Sequence, residues 1–344
     1  MPDIVIDMND QRPIWARPAW FAERIRAALP AGVEAVFMDT PSEGTGDGST
    51  AAHPAVLEAV ADARVYMGFG IAEAVLKAGP NLEWVHSGSA GVGSSLSVEM
   101  MNRDIVLTNT AGVHGPPMAE AILGMMLYFS RGFDLAVRAQ QDRRWNTAPF
   151  YDAGAPLIEI AGSTVGIIGL GGIGGEVARR VTALGARVLG LKRREGGPQM
   201  DGVEAVYGDA GFARILAESD FVVVTAPDTP ETRGMMSAAA FAAMRPEAVF
   251  INVARGAIAD EKALLEALQS GGIRGAGLDV FAAEPLSHDS PFWSLPNVLV
   301  TPHVSPVTRR FWHRQSELIL HNLDAYLSGR MNEMRNVVDK QAGY

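Results

Sequence analysis

The chain contains no cysteine among its 344 residues. This absence excludes disulfide bonds, a thiolate nucleophile and zinc sites built on sulfur, and it fits a reducing compartment. Long apolar runs are also missing, because the longest, residues 118–129, includes Glu120 and is too short to span a bilayer. No basic lead precedes an apolar run at the N-terminus. We therefore expect no signal peptide, no membrane association and a cytoplasmic location.

Positive charge is scarce as well. Lysine and arginine number 29 against 39 acidic residues, which gives a formal net charge of −10. Affinity for nucleic acid comes mainly from neutralised phosphates, so we expect no nucleic-acid partner. A chain of 344 residues exceeds one ordinary hydrophobic core, so two domains are expected.

Short β-rich runs alternate with helical patterns in both halves of the chain, as in βαβ units with parallel sheets. The runs are 4–6, 33–38, 64–67, 82–86 and 105–108, then 164–169, 187–191, 221–225, 249–252, 275–280 and 298–301. We predict an α/β fold of two doubly wound parallel-sheet domains with a cleft between them, a flavodoxin-like substrate domain and a Rossmann nucleotide-binding domain.

Two helical patterns lie outside this alternation. One covers residues 118–141, with an unusually wide apolar face. The other, residues 309–328, is amphipathic and has no strand of its own to cover, so we expect it to pack on the first domain. The predicted domains are therefore residues 1–112 plus 306–344 for substrate and catalysis, and residues 113–305 for the dinucleotide.

The segment TVGIIGLGGIGGEVARR carries the pattern G-x-G-x-x-G as Gly169, Gly171 and Gly174, after an apolar strand and at the start of a helix. The first glycine permits a tight turn, the second lets a pyrophosphate approach the backbone, and the third lets helix and strand pack closely. The free N–H groups of the helix N-terminus attract the phosphates. We predict a dinucleotide site that also includes Gly172 and Ile173.

Cations stand where an acidic residue usually binds the adenosine ribose. Lys192, Arg193 and Arg194 begin 23 residues after Gly169, at the end of the next strand. An acid there would repel the 2′-phosphate of NADP, whereas lysine and arginine bind it. This favours NADP(H), with NAD(H) possible. The alternative is a solvated basic turn in which Glu195 serves NAD.

Polar residues follow the later strands, at Arg255, Asp279, Glu284 and His303. An arginine can hold a carboxylate through two parallel hydrogen bonds, a histidine can move a proton near neutral pH, and a glutamate can orient that imidazole. Each also has a plainer interpretation, as a surface ion pair, a turn residue or a core histidine. Spacing alone leaves both interpretations open.

The order of motifs resembles the D-isomer-specific 2-hydroxyacid dehydrogenases, closest to the short NADP-dependent glyoxylate/hydroxypyruvate reductase branch. The motifs that carry the likeness are GLGGIGGEVARR, TAPDTPETRGMM, INVARGAIADEKALLEAL, GAGLDVFAAEPL and VTPHVSPVT, with LEWVHSGSAGVG and TNTAGVHGPPMAE before them. The resemblance covers about residues 112–306 and extends into the first domain. It implies a small 2-keto or 2-hydroxy acid as substrate.

The resemblance also implies residue roles. His303 would be the acid/base, Glu284 would pair with its imidazole, and Arg255 would bind the substrate carboxylate. Asp279 would contact the nicotinamide carboxamide. The remaining implied contacts are backbone N–H groups on the carboxylate at Ser89, Ala90, Gly91 and Val92, and a cofactor cleft lined by Thr225, Ala226, Pro227, Thr232, Val253, Ala254 and His303.

We therefore expect a reductase that transfers hydride from NADPH to glyoxylate, hydroxypyruvate or a similar keto acid, with no metal. A homodimer through the helix that begins near Met118 is implied by the resemblance. Two alternatives stay open: a dinucleotide-sensing, co-repressor-like interaction protein, and a dehydrogenase of the formate or phosphite type. His86, His114, Trp145 and Trp312 receive no role.

Overall fold

The computed structural model describes residues 2–40, 48, 51–192 and 199–343. The chain divides into two compact units. Unit 1 comprises Met1–His114 and Val307–Tyr344, and unit 2 comprises Gly115–Pro306. Each unit has its own parallel sheet and its own buried apolar clusters. The predicted fold class, two parallel-sheet α/β domains, is confirmed.

Unit 1 is built on a five-stranded parallel sheet of order β2-β1-β3-β4-β5, the flavodoxin-like order. Strands β1, β3 and β4 are buried along their whole length, because helices cover both faces of the sheet. The strands are β1 (Ile4–Asp7), β2 (Ala35–Phe37), β3 (Val65–Gly68), β4 (Trp84–Ser87) and β5 (Val106–Thr108). The helices between them are α1 (Ala19–Ala28), α2 (Pro54–Ala59), α3 (Glu73–Ala78) and α4 (Val98–Asn102).

Unit 2 is built on a seven-stranded parallel sheet of order β12-β11-β10-β9-β6-β7-β8. Its strands are β6 (Thr164–Ile168), β7 (Arg187–Lys192), β8 (Val203–Tyr207), β9 (Phe221–Val224), β10 (Val249–Asn252), β11 (Gly275–Leu278) and β12 (Val298–Val300). The strand order reverses between β6 and β9, and ligands of doubly wound sheets bind at such a point, beyond the carboxyl ends of the strands.

The helices of unit 2 are α5 (Gly115–Ser130), α6 (Phe133–Gln141), α7 (Ala148–Tyr151), α8 (Gly172–Ala183), α9 (Gly208–Glu218), α10 (Ala238–Ala242) and α11 (Glu261–Ser270). The ends of α11 follow from its flanking residues: Asp260 accepts hydrogen bonds from the N–H groups of Lys262 and Ala263, and Gly271 ends the helix in a left-handed conformation.

The prediction of one helix over residues 118–141 was wrong. Helix α5 ends at Ser130, and Gly132 has a φ of +67°, which breaks the helix before α6 begins. The apolar pattern continues across this break. The buried face of α5, which includes Met118, Ile122 and Met126, packs within unit 2.

The chain ends in unit 1 with helix α12 (Phe311–Leu327). Its apolar face, including Phe311, Ile319 and Leu323, is buried beside residues of α1 and β1. Residues 336–338 then run along the end of β5, where Thr108 pairs with Val337 in antiparallel fashion. No helix of the described ranges is both long enough and apolar enough to cross a membrane.

Candidate active site

The glycine-rich turn of unit 2 lies at the point where the strand order reverses. Gly169 has a φ of +99°, and a Cβ there would lie 2.6 Å from the backbone of Ala226, at the end of β9. A Cβ on Gly174 would collide with the carbonyl oxygen of Gly169. Both positions therefore require glycine so that β6, β9 and α8 can pack this closely.

Gly171 differs from these two glycines, because, its chain neighbours aside, no atom of the described residues lies within 4 Å of the place its Cβ would take. It caps α8 without a side-chain hydrogen bond, so no N-cap side chain occupies the N–H groups that begin the helix. Open space beside a helix N-terminus suits a pyrophosphate. Gly172, Ile173 and Gly174 form the first turn of α8, as the sequence predicts. The residues present therefore fit a dinucleotide.

The residues predicted to line the cofactor cleft follow neighbouring strands of the same sheet. Thr225 Oγ1 donates to the carbonyl of Gly169 at 2.7 Å, which ties the end of β9 to the glycine turn. Thr232 Oγ1 donates to the carbonyl of Pro227 at 2.6 Å and accepts from the N–H of Thr229 at 2.8 Å. Ala226 follows Thr225, and Val253 and Ala254 follow β10.

Lys192 is the last residue of β7. The carbonyl of Leu191, just before it, accepts hydrogen bonds from the N–H groups of Gly169 and Leu170, both at 3.3 Å. The cation therefore stands beside the glycine turn. Arg193 and Arg194, like the alternative Glu195, lie outside the described residues.

His303 and Glu284 form a side-chain pair within unit 2. The imidazole Nδ1 lies 2.7 Å from Glu284 Oε2, and Glu284 Oε1 accepts a hydrogen bond from the N–H of Phe281 at 2.9 Å. The carboxylate is therefore anchored on one oxygen and bonded to the imidazole through the other. The imidazole side chain is 29% exposed, so part of the ring is accessible.

Asp279 folds the loop that carries His303. The carboxylate is fully buried, and it accepts hydrogen bonds from Thr301 Oγ1 at 2.5 Å, Val304 N at 2.9 Å and Ser305 N at 3.0 Å. Its backbone carbonyl also accepts from the N–H of His303 at 2.9 Å. His303 adopts a φ of +54°, a conformation uncommon for residues other than glycine. These bonds hold the loop around that conformation.

Arg255 lies in the turn after β10. Asn252 holds this turn, because its side chain donates to the carbonyl of Arg255 at 3.0 Å and accepts from the N–H of Ala254 at 3.0 Å. The next residue, Gly256, packs so tightly that a Cβ would collide with the backbone of Phe281 and Ala282. The Arg255 turn and the loop that leads to Glu284 are thus fixed against each other.

The predicted substrate loop Ser89–Ala90–Gly91–Val92 follows β4 in unit 1. The N–H of Ser89, one of the four predicted carboxylate donors, is already bonded, because it donates to Ser87 Oγ at 3.2 Å. Within the described part of the chain, the N–H groups of Ala90, Gly91 and Val92 donate no hydrogen bond to a protein atom. Val92 is 2% exposed and anchors the loop in the apolar core. Three successive unpaired donors on an anchored loop can bind an anion.

Comparison with known proteins identifies the family. A family model described as the NAD binding domain of D-isomer specific 2-hydroxyacid dehydrogenases matches residues 123–305, more than half of the chain. The chain belongs to the D-isomer specific 2-hydroxyacid dehydrogenase family. The resemblance read from the sequence is thereby confirmed, and the chain is an oxidoreductase with a dinucleotide-binding domain.

The relatives of this 2-hydroxyacid dehydrogenase include the glyoxylate reductase of Korarchaeum cryptofilum, 34% identical over 75% of this chain and 76% of the relative. Among solved structures, a D-isomer specific 2-hydroxyacid dehydrogenase from Xanthobacter autotrophicus in complex with NADPH is similar with a TM-score of 0.79 and 30% identity, over 100% of this chain and 99% of the other. The NADPH-dependent glyoxylate/hydroxypyruvate reductase of Sinorhizobium meliloti, in complex with NADP and sulfate, has a TM-score of 0.78 and 30% identity over the full length of both chains.

Two supporting residues of the dehydrogenase were not singled out from the sequence. Thr301 and Asn252 hold the His303 loop and the Arg255 turn, respectively. Both stand within motifs quoted for the family resemblance, VTPHVSPVT and INVARG, and this position was the only signal for them.

The histidines and tryptophans left without a role occupy different surroundings. His86 is fully buried; its Nδ1 lies 2.8 Å from Thr108 Oγ1, and its Nε2 accepts from the Gln315 amide at 2.7 Å. Burial lowers the pKa of His86 to about 3. His114 stacks on Phe311 within unit 1, and Trp312 is also buried there, whereas Trp145 is 96% exposed in unit 2.

Proposed function

We propose that the chain reduces a small 2-keto acid of the glyoxylate or hydroxypyruvate class to the D-2-hydroxy acid, with NADPH preferred over NADH. The observation that carries this proposal is the hydrogen bond between His303 Nδ1 and Glu284 Oε2. When bound, the nicotinamide cofactor supplies the hydride that adds to C2 of the keto acid.

His303 is the proposed proton donor. With its Nδ1 proton held by Glu284, the imidazolium presents its Nε2 proton to the keto oxygen. The carboxylate of Glu284 fixes the ring orientation and balances the positive charge until the proton leaves. A positioned general acid contributes about 10² to 10⁴ in rate.

The substrate carboxylate is assigned to two sets of donors. Arg255 offers a planar guanidinium that binds a carboxylate through two parallel hydrogen bonds, and its positive charge polarises the neighbouring carbonyl. The N–H groups of Ala90, Gly91 and Val92 are the second set, and their lack of protein acceptors within the described residues supports this role.

Asp279 is proposed to act in two ways. Its carboxylate builds the loop around His303, and the same buried group is assigned to the nicotinamide carboxamide. Three protein donors already occupy its two oxygens and the residue has no exposed surface in this conformation, so the contact with the carboxamide is supported by the family resemblance alone.

The NADPH preference rests on Lys192, which ends β7 beside the glycine turn, together with Arg193 and Arg194 of the sequence. A charge-assisted hydrogen bond to the 2′-phosphate contributes about 1.5 to 3 kcal/mol. We therefore expect the specificity constant to favour NADPH by about 10² or more. Two structural neighbours contain NADPH or NADP, which supports the same choice.

Initial-rate measurements with glyoxylate, hydroxypyruvate and pyruvate, each with NADPH and NADH, test the proposal. We expect saturable turnover, D-glycerate as the product from hydroxypyruvate, and the NADPH preference. Lys192→Glu should reduce that preference at least tenfold, and Lys192→Gln serves as the uncharged control. Equal specificity constants for the two cofactors would overturn the cofactor assignment, and the absence of keto-acid turnover would overturn the reaction.

A homodimer is the proposed assembly. The buried face of α5, the helix that contains Met118, already packs within unit 2. The segment that follows it exposes large apolar side chains instead: Phe133 at 51%, Trp145 at 96% and Tyr151 at 85%. Large aromatic side chains are enriched at protein interfaces, which favours this segment as the contact between two copies. Light scattering should give twice the chain mass of 36.6 kDa, and a monomer would refute the dimer.

A further inference from the structure

Asn109, which follows β5, connects two segments of unit 1. Its side-chain Nδ2 donates to the carbonyl of Ala90 at 2.8 Å, and its Oδ1 accepts from the N–H of Ala111 at 3.0 Å. The next residue, Thr110, donates its N–H to the carbonyl of Ser89 at 3.3 Å. Asn109 is only 5% exposed, so these bonds form away from water. Two successive carbonyls of the loop 89–92 are therefore held from one side.

This arrangement fixes the direction of the loop donors. A peptide group is planar and trans, so its N–H points opposite to its C=O. The carbonyl of Ala90 belongs to the same peptide group as the N–H of Gly91, and the carbonyl of Ser89 to the same group as the N–H of Ala90. The bond from Asn109 consequently aims the Gly91 N–H away from residues 109–110, and the bond from Thr110 aims the Ala90 N–H the same way.

The C-terminal segment holds Asn109 in turn. The backbone N–H of Asn109 donates to the carbonyl of Asn336 at 3.1 Å. In return, Asn336 Nδ2 donates to the carbonyls of Asn109 at 3.1 Å and Ala111 at 2.7 Å. Asn336 has a φ of +57°, in the left-handed region that asparagine tolerates better than most residues. An asparagine here therefore supplies both the backbone turn and the amide donor.

The segment after Asn336 is itself anchored on unit 1. The N–H of Val338 donates to the carbonyl of Leu107 at 2.8 Å, and its side chain is 6% exposed. Lys340 Nζ donates to the carbonyls of Met100 at 3.2 Å and Arg103 at 2.9 Å, at the end of α4. The segment is thus fixed both to β5 and to the end of α4.

We propose that Asn109 is the positioning residue of the substrate carboxylate loop, and that Asn336 of the C-terminal segment completes this device by holding Asn109. The inference rests on the proposed function, because it takes the N–H groups of Ala90, Gly91 and Val92 as carboxylate donors. Asn109 acts through the loop and does not contact the substrate.

The most selective variant is Asn109→Asp. It keeps the acceptor for the Ala111 N–H and the backbone bonds to Asn336, but it places a carboxylate oxygen against the Ala90 carbonyl, which turns the attraction into repulsion. The loss of an oriented donor should raise the KM for hydroxypyruvate about tenfold or more. The donors bind ground state and transition state alike, so kcat should stay within about threefold.

Asn336→Gly is the second variant, because glycine keeps the left-handed backbone and removes only the amide. We expect a KM increase of about two- to fivefold with unchanged kcat, since the backbone bond to Asn109 remains. If Asn109→Asp does not fold, this variant alone decides the test. For both variants, the dissociation constant of NADPH should match that of the parent chain.

Asn297→Asp is the matched control. This asparagine of unit 2 donates its amide to the carbonyls of Leu268 at 3.2 Å and Arg274 at 3.4 Å, so the same change removes donors without touching the loop. It should lower the unfolding temperature and leave KM unchanged. If Asn109→Asp and Asn336→Gly fold and keep the KM of the parent chain, the inference is overturned while the proposed function stands. No keto-acid turnover by the parent chain would overturn the proposed function and the inference with it.

Discussion

His303 and Glu284 are joined by a 2.7 Å hydrogen bond between Nδ1 and Oε2, although 19 residues separate them in the sequence. Glu284 follows β11 and His303 follows β12, so neighbouring parallel strands bring the two residues to the same edge of the sheet. This edge is where doubly wound folds place their catalytic groups.

Glu284→Gln tests the contribution of the carboxylate. Glutamine can still accept the Nδ1 hydrogen bond, but it cannot balance the charge of the imidazolium. We expect kcat for keto-acid reduction to fall at least about tenfold, with unchanged NADPH affinity, because only the proton-transfer step loses support. Steady-state kinetics and a fluorescence titration with NADPH measure the two quantities. A kcat within twofold of the parent would remove the role of Glu284.

Asp279→Asn tests how the His303 loop is held. In the parent chain, Thr301 Oγ1 and two backbone N–H groups donate to the Asp279 carboxylate. The NH₂ of an asparagine would face one of these donors instead of accepting from it, in a fully buried position. We expect a loss of about 2 to 3 kcal/mol in the free energy of unfolding. Thr301→Ser, which keeps the hydroxyl, should cost much less. Denaturant titration compares them, and equal midpoints for the parent and Asp279→Asn would contradict this account.

Gly171→Ala and Gly174→Ala separate binding from packing. The added methyl at Gly171 meets no atom of the described residues beyond its chain neighbours, so stability should fall by no more than the about 1 kcal/mol that alanine costs at an N-cap. The dissociation constant for NADPH should rise at least about tenfold, because the backbone can no longer approach the pyrophosphate. At Gly174 the methyl meets the carbonyl of Gly169, so stability and binding should both fall. Calorimetric binding and thermal unfolding distinguish the pair; unchanged NADPH binding by Gly171→Ala is incompatible with the proposed site.

The buried His86 predicts acid sensitivity. Its pKa is lowered to about 3 by burial, from an ordinary value of 6.5, so between these pH values the unfolded chain binds one more proton than the folded chain. Stability should fall with decreasing pH by up to about 1.4 kcal/mol per unit, or about 2 kcal/mol from pH 7.5 to 5. His86→Asn should remove this slope, whereas the fully exposed His288→Asn should not. Denaturant titrations at both pH values measure it, and parallel slopes for His86→Asn and the parent would exclude His86 as the cause.

The sequence predicted most strands because they are buried on both faces and read as short apolar runs. Strand β8 was missed because Glu204 and its partly exposed neighbours interrupt such a run at the edge of the sheet. The break at Gly132 was missed because the apolar pattern continues across it. In each case the local pattern carried less information than the tertiary surroundings.

The same limit applies to the candidate site. Glycine spacing predicted the dinucleotide turn, and strand ends together with the family resemblance predicted Arg255, Glu284 and His303, since these features are local in sequence. The hydrogen bond from Asn336 to Asn109 joins residues 227 positions apart, and no local sequence pattern predicts it. The bonds of Asp279 to the His303 loop likewise appear only when β11 and β12 are neighbours.

The role of His303 as proton donor is measured by the turnover of hydroxypyruvate with NADPH by His303→Ala beside the parent chain. We expect kcat to fall about 10² to 10⁴-fold, while the dissociation constant of NADPH and the unfolding temperature stay close to those of the parent. A folded His303→Ala protein that binds NADPH and keeps its turnover within about threefold of the parent would contradict the assignment of His303 as the proton donor.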